Sequence, residues 1–180
     1  MDYIPHHPVS TPKYIFFLVC FVFLCSAIIF DGDGYILILD YPNLFFHEAG
    51  HVFLGFFGET IGLYGGTLGQ LIMPFVCAVT FLLQLKVLSF AVMLLWFFQN
   101  FFNIARYMAD ARAHELFLVG GGKHDWTDIL SRWGILESDT ALAAVVRYLG
   151  WLGLIGTFVG ITIIWQIDNK MVQQKKGGFI

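Results

Sequence analysis

The stretch Val87–Ala109, VLSFAVMLLWFFQNFFNIARYMA, decides the fold. As a helix it would be about 34 Å long, enough to cross a hydrocarbon layer about 30 Å thick. Its polar residues are not scattered. Gln99, Asn103, Arg106, Asp110 and His114 follow one another at intervals of 4, 3, 4 and 4, which is one helical face. Lipid offers such groups no partner, so the stripe must face other protein, and the helix is predicted to continue towards Leu116.

The rest of the chain repeats the apolar theme. Of its 180 residues 58% are hydrophobic and only 13% charged, about half the charged share of an ordinary soluble domain. Met1–Lys13, with Pro5, Pro8 and Pro12, reads as a disordered lead in which His6 and His7 are solvated. Tyr14–Phe30 is a first, retained span, and Asp31–Gly34 a turn at the membrane surface. After a short apolar Tyr35–Leu39 and the turn-like Asp40-Tyr-Pro42, a second segment runs from Asn43 to Phe57. Gly55–Gly69 holds six glycines yet is too apolar for a surface loop, which predicts a re-entrant or hairpin element. Leu68–Leu85 is the third segment and Val87–Ala109 the fourth.

Val119–Asp139 reads as a polar interfacial module, with Trp126 and Trp133 suited to the headgroup layer. The last helix, Ala141–Gln166, spaces Gly150, Gly153, Gly156 and Gly160 along one side, a pattern suited to close packing in a membrane-protein complex. The expected architecture is an all-α polytopic membrane protein: one membrane domain over 14–166, about five spans, and a tail over 167–180. Five spans would place the termini on opposite sides, and the Lys/Arg distribution does not choose between orientations. Cys20, Cys25 and Cys77 lie in apolar stretches without pairing motifs and read as inert thiols. A net charge of −3 and no basic block exclude nucleic acid as a partner.

The second segment carries His47-Glu-Ala-Gly-His51. Residues four apart on a helix face the same way, so both imidazoles can bind one Zn²⁺, while Glu48 beside them serves as general base. With six His and four Glu in the chain, chance would supply this pattern about 0.004 times. Its setting among Phe45, Phe46, Val52, Phe53 and Leu54 makes it costly in lipid without a function.

The motif at a membrane helix, followed by a glycine-rich element, resembles the site-2-protease class of intramembrane zinc metallopeptidases over roughly Asn43–Pro74. That resemblance implies a buried zinc site, a water-accessible cavity and membrane-anchored protein substrates. The class takes its third ligand from an Asp in a Leu-Asp-Gly stretch, which this chain lacks. Arg106-Tyr-Met-Ala-Asp-Ala-Arg-Ala113 is similar to the ligand helix of the CAAX prenyl protease group, but Arg106 stands where that group has its Glu ligand.

The third ligand is therefore open. The polar stripe favours Asp110, with Asn103 and Arg106 orienting the ligands from behind; the competing reading is an Asp110–Arg106 ion pair. His124 would give a three-histidine site, or else is a solvated loop residue. Asp125 is the other candidate, or else the N-cap of a short helix. Gly65 and Gly66 are expected to bind substrate, because a glycine-rich edge could hold an extended segment through backbone hydrogen bonds. The function predicted is zinc-dependent intramembrane endopeptidase. The alternative is an inactive pseudoprotease that serves as a membrane assembly or scaffold subunit.

Overall fold

The structure, a computed structural model, describes residues 6–30, 36–118 and 123–177. All regular structure among them is helical: α1 (Thr11–Phe30), α2 (Leu37–Gly55), α3 (Glu59–Leu83), α4 (Val87–Ala109), α5 (Asp125–Arg132), a 3₁₀ turn at Leu136–Ser138, and α6 (Asp139–Gly177). The architecture is that of an all-α polytopic membrane protein. Among the described residues, four helices are long and apolar enough to cross a membrane: α1, α3, α4 and α6 with its preceding turn. Helix α2 is not among them, because Asp40, Asn43, His47, Glu48 and His51 interrupt its apolar surface. The expected five spans thus become four and one half-polar helix.

Side-chain contacts fix the directions. Short connections make α2–α3 and α3–α4 antiparallel pairs. Tyr14 stacks on Trp165 at 4.3 Å and Phe21 on Phe158 at 4.7 Å, so α1 is antiparallel to α6. Gly150 lies against Phe102 and Gly153 against Phe98, so α6 is antiparallel to α4. It follows that α1, α2 and α4 run one way, and α3 and α6 the other. Consecutive α1 and α2 share a direction, which five alternating spans would forbid.

The two chain ends meet accordingly. His7 N–H donates to the carbonyl of Leu85 in the α3–α4 connection (3.0 Å). Asp168, buried on α6, accepts from Val9 N–H (2.8 Å) and from His6 Nε2 (3.0 Å). A buried carboxylate needs such donors. Segment 6–10 is therefore an anchored strap rather than a disordered lead, and His6 is paired rather than solvated; Met1–Pro5 lie outside the described residues. Residues 167–177 continue α6 rather than forming a tail. The expected turn at Asp31–Gly34 and the glycines Gly120–Gly122 also fall outside the described residues.

The glycine-rich stretch is neither re-entrant nor extended. Gly58, at φ 116°, makes the turn that only glycine adopts freely, and α3 begins at once at Glu59. A helix satisfies its own backbone polar groups in lipid, whereas an exposed strand edge does not. A Cβ on Gly50 would stand 2.0 Å from the carbonyl oxygen of Gly65, and one on Gly69 2.2 Å from that of Phe46. The glycines thus let the α2 and α3 backbones touch. Gly65 is filled by α2 and offers no edge to a substrate.

Two apolar clusters complete the packing. One joins α1, α4 and α6 through Phe17, Leu24, Ala91, Leu95, Phe102 and Leu154. The other seats α5 on α4 through Ile104, Ala105, Met108, Trp126, Ile129 and Leu130. Trp126 is thus buried rather than at a headgroup layer. Trp133 is exposed and donates to Tyr64 Oη (3.0 Å). Of the glycines Gly150, Gly153, Gly156 and Gly160, the first two pack within the chain, while a Cβ on Gly156 or Gly160 would meet nothing within 4 Å.

Candidate metal centre

Helix α2 presents Asp40, Asn43, His47 and His51 at intervals of 3, 4 and 4, one continuous stripe. It divides into two polar clusters. At the first, Asp40 accepts from Ile36 N–H, Asn43 Nδ2 (3.3 Å), Gln99 Nε2 (3.0 Å) and Asn103 Nδ2 (2.9 Å). Asn43 Nδ2 also donates to Gln99 Oε1 (2.8 Å), and Asn43 Oδ1 accepts from Trp96 Nε1 (2.8 Å).

At the second, His47 and His51 meet Asp125, the first residue of α5. The Asp125 Oδ2 atom lies 2.9 Å from His47 Nε2 and 3.0 Å from His51 Nε2, and the two nitrogens are 3.1 Å apart. The residues stand 74 and 78 positions apart in sequence, so the fold, not local spacing, assembles them. His51 Nδ1 donates to the carbonyl of Gly62 (2.8 Å). That bond fixes the ring and leaves Nε2 as the electron-pair donor. Gly66 lies directly under both rings. A Cβ there would come within 2.4 Å of His47 Nε2 and 2.5 Å of His51 Nε2, so only glycine leaves them room. The Tyr107 ring packs edge-on against His47 at 5.8 Å, and Asp125 N–H donates to Tyr107 Oη (3.1 Å). Burial pushes the Asp125 carboxyl up, but hydrogen bonds and charge from the two imidazoles outweigh it and hold the pKa at about 2.

These contacts are hydrogen bonds when the rings carry the protons, and the same three atoms are all metal-ligating types. A divalent metal would engage all three at once. Tetrahedral zinc with bonds of about 2.0–2.1 Å separates N and O ligands by roughly 3.3 Å, so edges of 2.9–3.1 Å fit within a few tenths of an ångström. Two neutral imidazoles and a carboxylate also match zinc's ligand preference and leave a fourth position for water or substrate.

A cavity of about 440 Å³ adjoins the cluster, lined by His47, Glu48, Asp40, Gln70, Asn103, Arg106 and Tyr107 together with Tyr41, Leu44 and Leu116–Leu118. Glu48, half-buried, thus faces the same space as its ligand neighbour. The centre lies within the last two turns of α2 and of α4, near one end of the bundle rather than at its middle.

The structure therefore brings His47, Glu48 and His51 to one cavity and supplies Asp125 beside them, not Asp110. Helix α4 stops at Ala109 because the Asp110 carboxylate accepts Glu115 N–H (2.8 Å) and Leu116 N–H (3.2 Å), turning the chain back. Asp110 is thereby occupied away from the imidazoles. His124 is buried rather than solvated, and its Nδ1, not Asp125, caps α5 by accepting Thr127 N–H (3.3 Å). Burial pushes the His124 ring below its ordinary value, which keeps it neutral. Asn103 supports Asp40 rather than a ligand, and Arg106 lines the cavity. Gly66 makes space for the histidines rather than for substrate.

Asp40, Asn43 and Gln70 were missed. Asp40 and Asn43 share one α2 stripe with His47 and His51, but Pro42 makes Asp40-Tyr-Pro42 look like a turn; Gln70 lies on α3. Comparison with protein-family models, curated proteins and solved structures found no match. The centre must be interpreted from its own chemistry.

Proposed function

We propose that this chain is a zinc-dependent endopeptidase that sits in a membrane and cleaves membrane-anchored proteins. The observation that carries the reading is the convergence of His47 Nε2, His51 Nε2 and Asp125 Oδ2 within 3.1 Å of one another, on the wall of a cavity that also holds Glu48. Resemblance of His47–His51 to the site-2-protease class supports the same chemistry. The four helices long and apolar enough to cross a membrane, with exposed Phe16, Phe23, Phe75 and Leu152 on their outer faces, support the location.

His47, His51 and Asp125 would hold the ion. Bound zinc would lower the pKa of a water ligand towards about 7 and polarise a peptide carbonyl. Glu48 would be the base that takes a proton from such a water and returns it to the leaving nitrogen, a role that contributes about 10²–10⁴ in rate. His51 is held for its task by its bond to the Gly62 carbonyl.

The test is metal content and cleavage together. Full-length protein purified without chelator should carry about one zinc per chain. His47→Ala should remove it. Glu48→Gln should keep the zinc and lose cleavage of single-span substrates in proteoliposomes. Folded protein without zinc, or undiminished cleavage by Glu48→Gln, would overturn the reading; a zinc-loaded wild type that cleaves nothing would point to the scaffold alternative.

A further inference from the structure

The residue that sequence favoured as third ligand has a different use. Asp125 is the only member of the cluster not on α2, and it reaches the imidazoles across a connection that leaves α4 after Ala109. That connection is fastened at both of its ends to the last turn of α4. At its start, Asp110 Oδ1 and Oδ2 accept Glu115 and Leu116 N–H. At its finish, His124 Nε2 lies 3.4 Å from the same Asp110 Oδ2. His124 Nδ1 accepts from Thr127 N–H, which leaves Nε2, buried and without a hydrogen bond, facing the Asp110 carboxylate.

Further contacts hold the His124 ring and the start of α5. The ring stacks on Tyr107 at 4.2 Å, with His114 on the other side at 5.2 Å. Thr127 Oγ1 donates to the Ala111 carbonyl, and Asp125 N–H donates to Tyr107 Oη. Asp110 and His124 are both buried, at 7% and 3% exposure, so these bonds do not compete with water.

We infer that Asp110 and His124 form a buckle that delivers Asp125 to the imidazole pair, so that Asp110 governs metal affinity without touching the ion. The inference rests on the zinc reading above. Its logic is that of any outer contact that orients a ligand. Without the buckle, Asp125 must be ordered at the moment of binding, and a support of this kind is worth about 10–100-fold in metal affinity. Asp110 is accordingly a positioning residue.

The experiment measures zinc affinity of the full chain in detergent by competition with a chromophoric chelator, alongside the cobalt absorption spectrum at saturation. Wild type and His47→Ala come first: no zinc in the wild type sinks the metal reading itself, whatever Asp110 does. Given wild-type binding, Asp110→Ala should weaken zinc about 10–100-fold. At saturating cobalt it should regain the wild-type spectrum, because its ligands are unchanged. Asp125→Ala should alter that spectrum permanently. His124→Phe keeps the stacked ring and loses both ring nitrogens; it should shift affinity in the same direction even if Asp110→Ala fails to fold. Affinity within twofold of wild type in the folded variants would overturn the inference. So would a spectrum from Asp110→Ala as altered as that from Asp125→Ala, which would make Asp110 a ligand.

Discussion

Helix α2 carries two polar clusters a turn or two apart, and they are opposites. Around Asp40, acceptors and donors are matched: one carboxylate takes four N–H groups, and Asn43, Gln99 and Trp96 close the remaining bonds among themselves. Around His51, two imidazole nitrogens and one carboxylate oxygen meet across 2.9–3.1 Å. A matched network binds helices together. A cluster made only of metal-ligating atom types could also hold a cation. Both sit among apolar helices, so burial alone does not distinguish glue from chemistry; the types of atom that meet do.

The sharpest way to break this contrast is to remove one group from each cluster. His47→Ala should abolish zinc binding and cost metal-free protein only about 1 kcal/mol of stability, because Asp125 keeps its bond to His51. Asp40→Ala should do the reverse. It orphans several buried donors at about 1–3 kcal/mol each before relaxation, so a loss of roughly 3–5 kcal/mol is expected by thermal unfolding in detergent, with or without zinc. Equal effects of the two variants on metal-free stability would erase the distinction.

Next in size is the space beneath the rings. Gly66→Ala places a methyl group where the imidazoles lie and should cost at least about tenfold in zinc affinity, since either the rings or α3 must move. Gly156→Ala, in open space on α6, should be silent in the same assay.

Acid sharpens the comparison further. Metal needs neutral imidazole, and the hydrogen bond to Asp125 raises the His51 ring above its ordinary value, so zinc affinity should fall as pH drops from 7 to 5 and protons compete for that ring. Asp125 takes no part in that fall. Its carboxyl is held at about 2, below its ordinary value, so its contribution is fully present above the unfolded value and is lost only as pH descends through about 2. An Asp125→Asn variant should bind more weakly at every pH yet show the same decline, which chelator competition across the range would check. The smallest effect is expected for Trp96→Phe, which deletes one bond to Asn43 and should cost about 1 kcal/mol.

Much of this was legible in the chain. Long apolar runs give helices in lipid, because no other open structure satisfies the backbone there. The four-residue interval of His47 and His51 needs nothing beyond one helical turn. The inward stripe on α4 was also real, since Gln99 and Asn103 do face α2. What failed was partnership across long separations. Periodicity says that Asp110 faces inward but not which of several inward groups it meets, and Asp125 reaches the site only because α5 docks on α4 through Ile129 and Leu130. The glycines misled for a related reason. Their freedom suggests irregular backbone, whereas the absence of a side chain is what α2 requires of α3.

The orientation of α4 has one more consequence. Val87 begins beside the connection on which the N-terminal strap is seated, and Tyr107, twenty residues on, touches His47. At 1.5 Å per residue these points are about 30 Å apart, the depth of a hydrocarbon layer. For a chain lying in a bilayer, the two leaflets therefore meet different molecules: one leaflet surrounds packed aromatic rings, the other surrounds the reactive groups. A scissile bond would have to lie near one membrane surface, so a substrate helix need unwind only at its border and could keep its central turns intact.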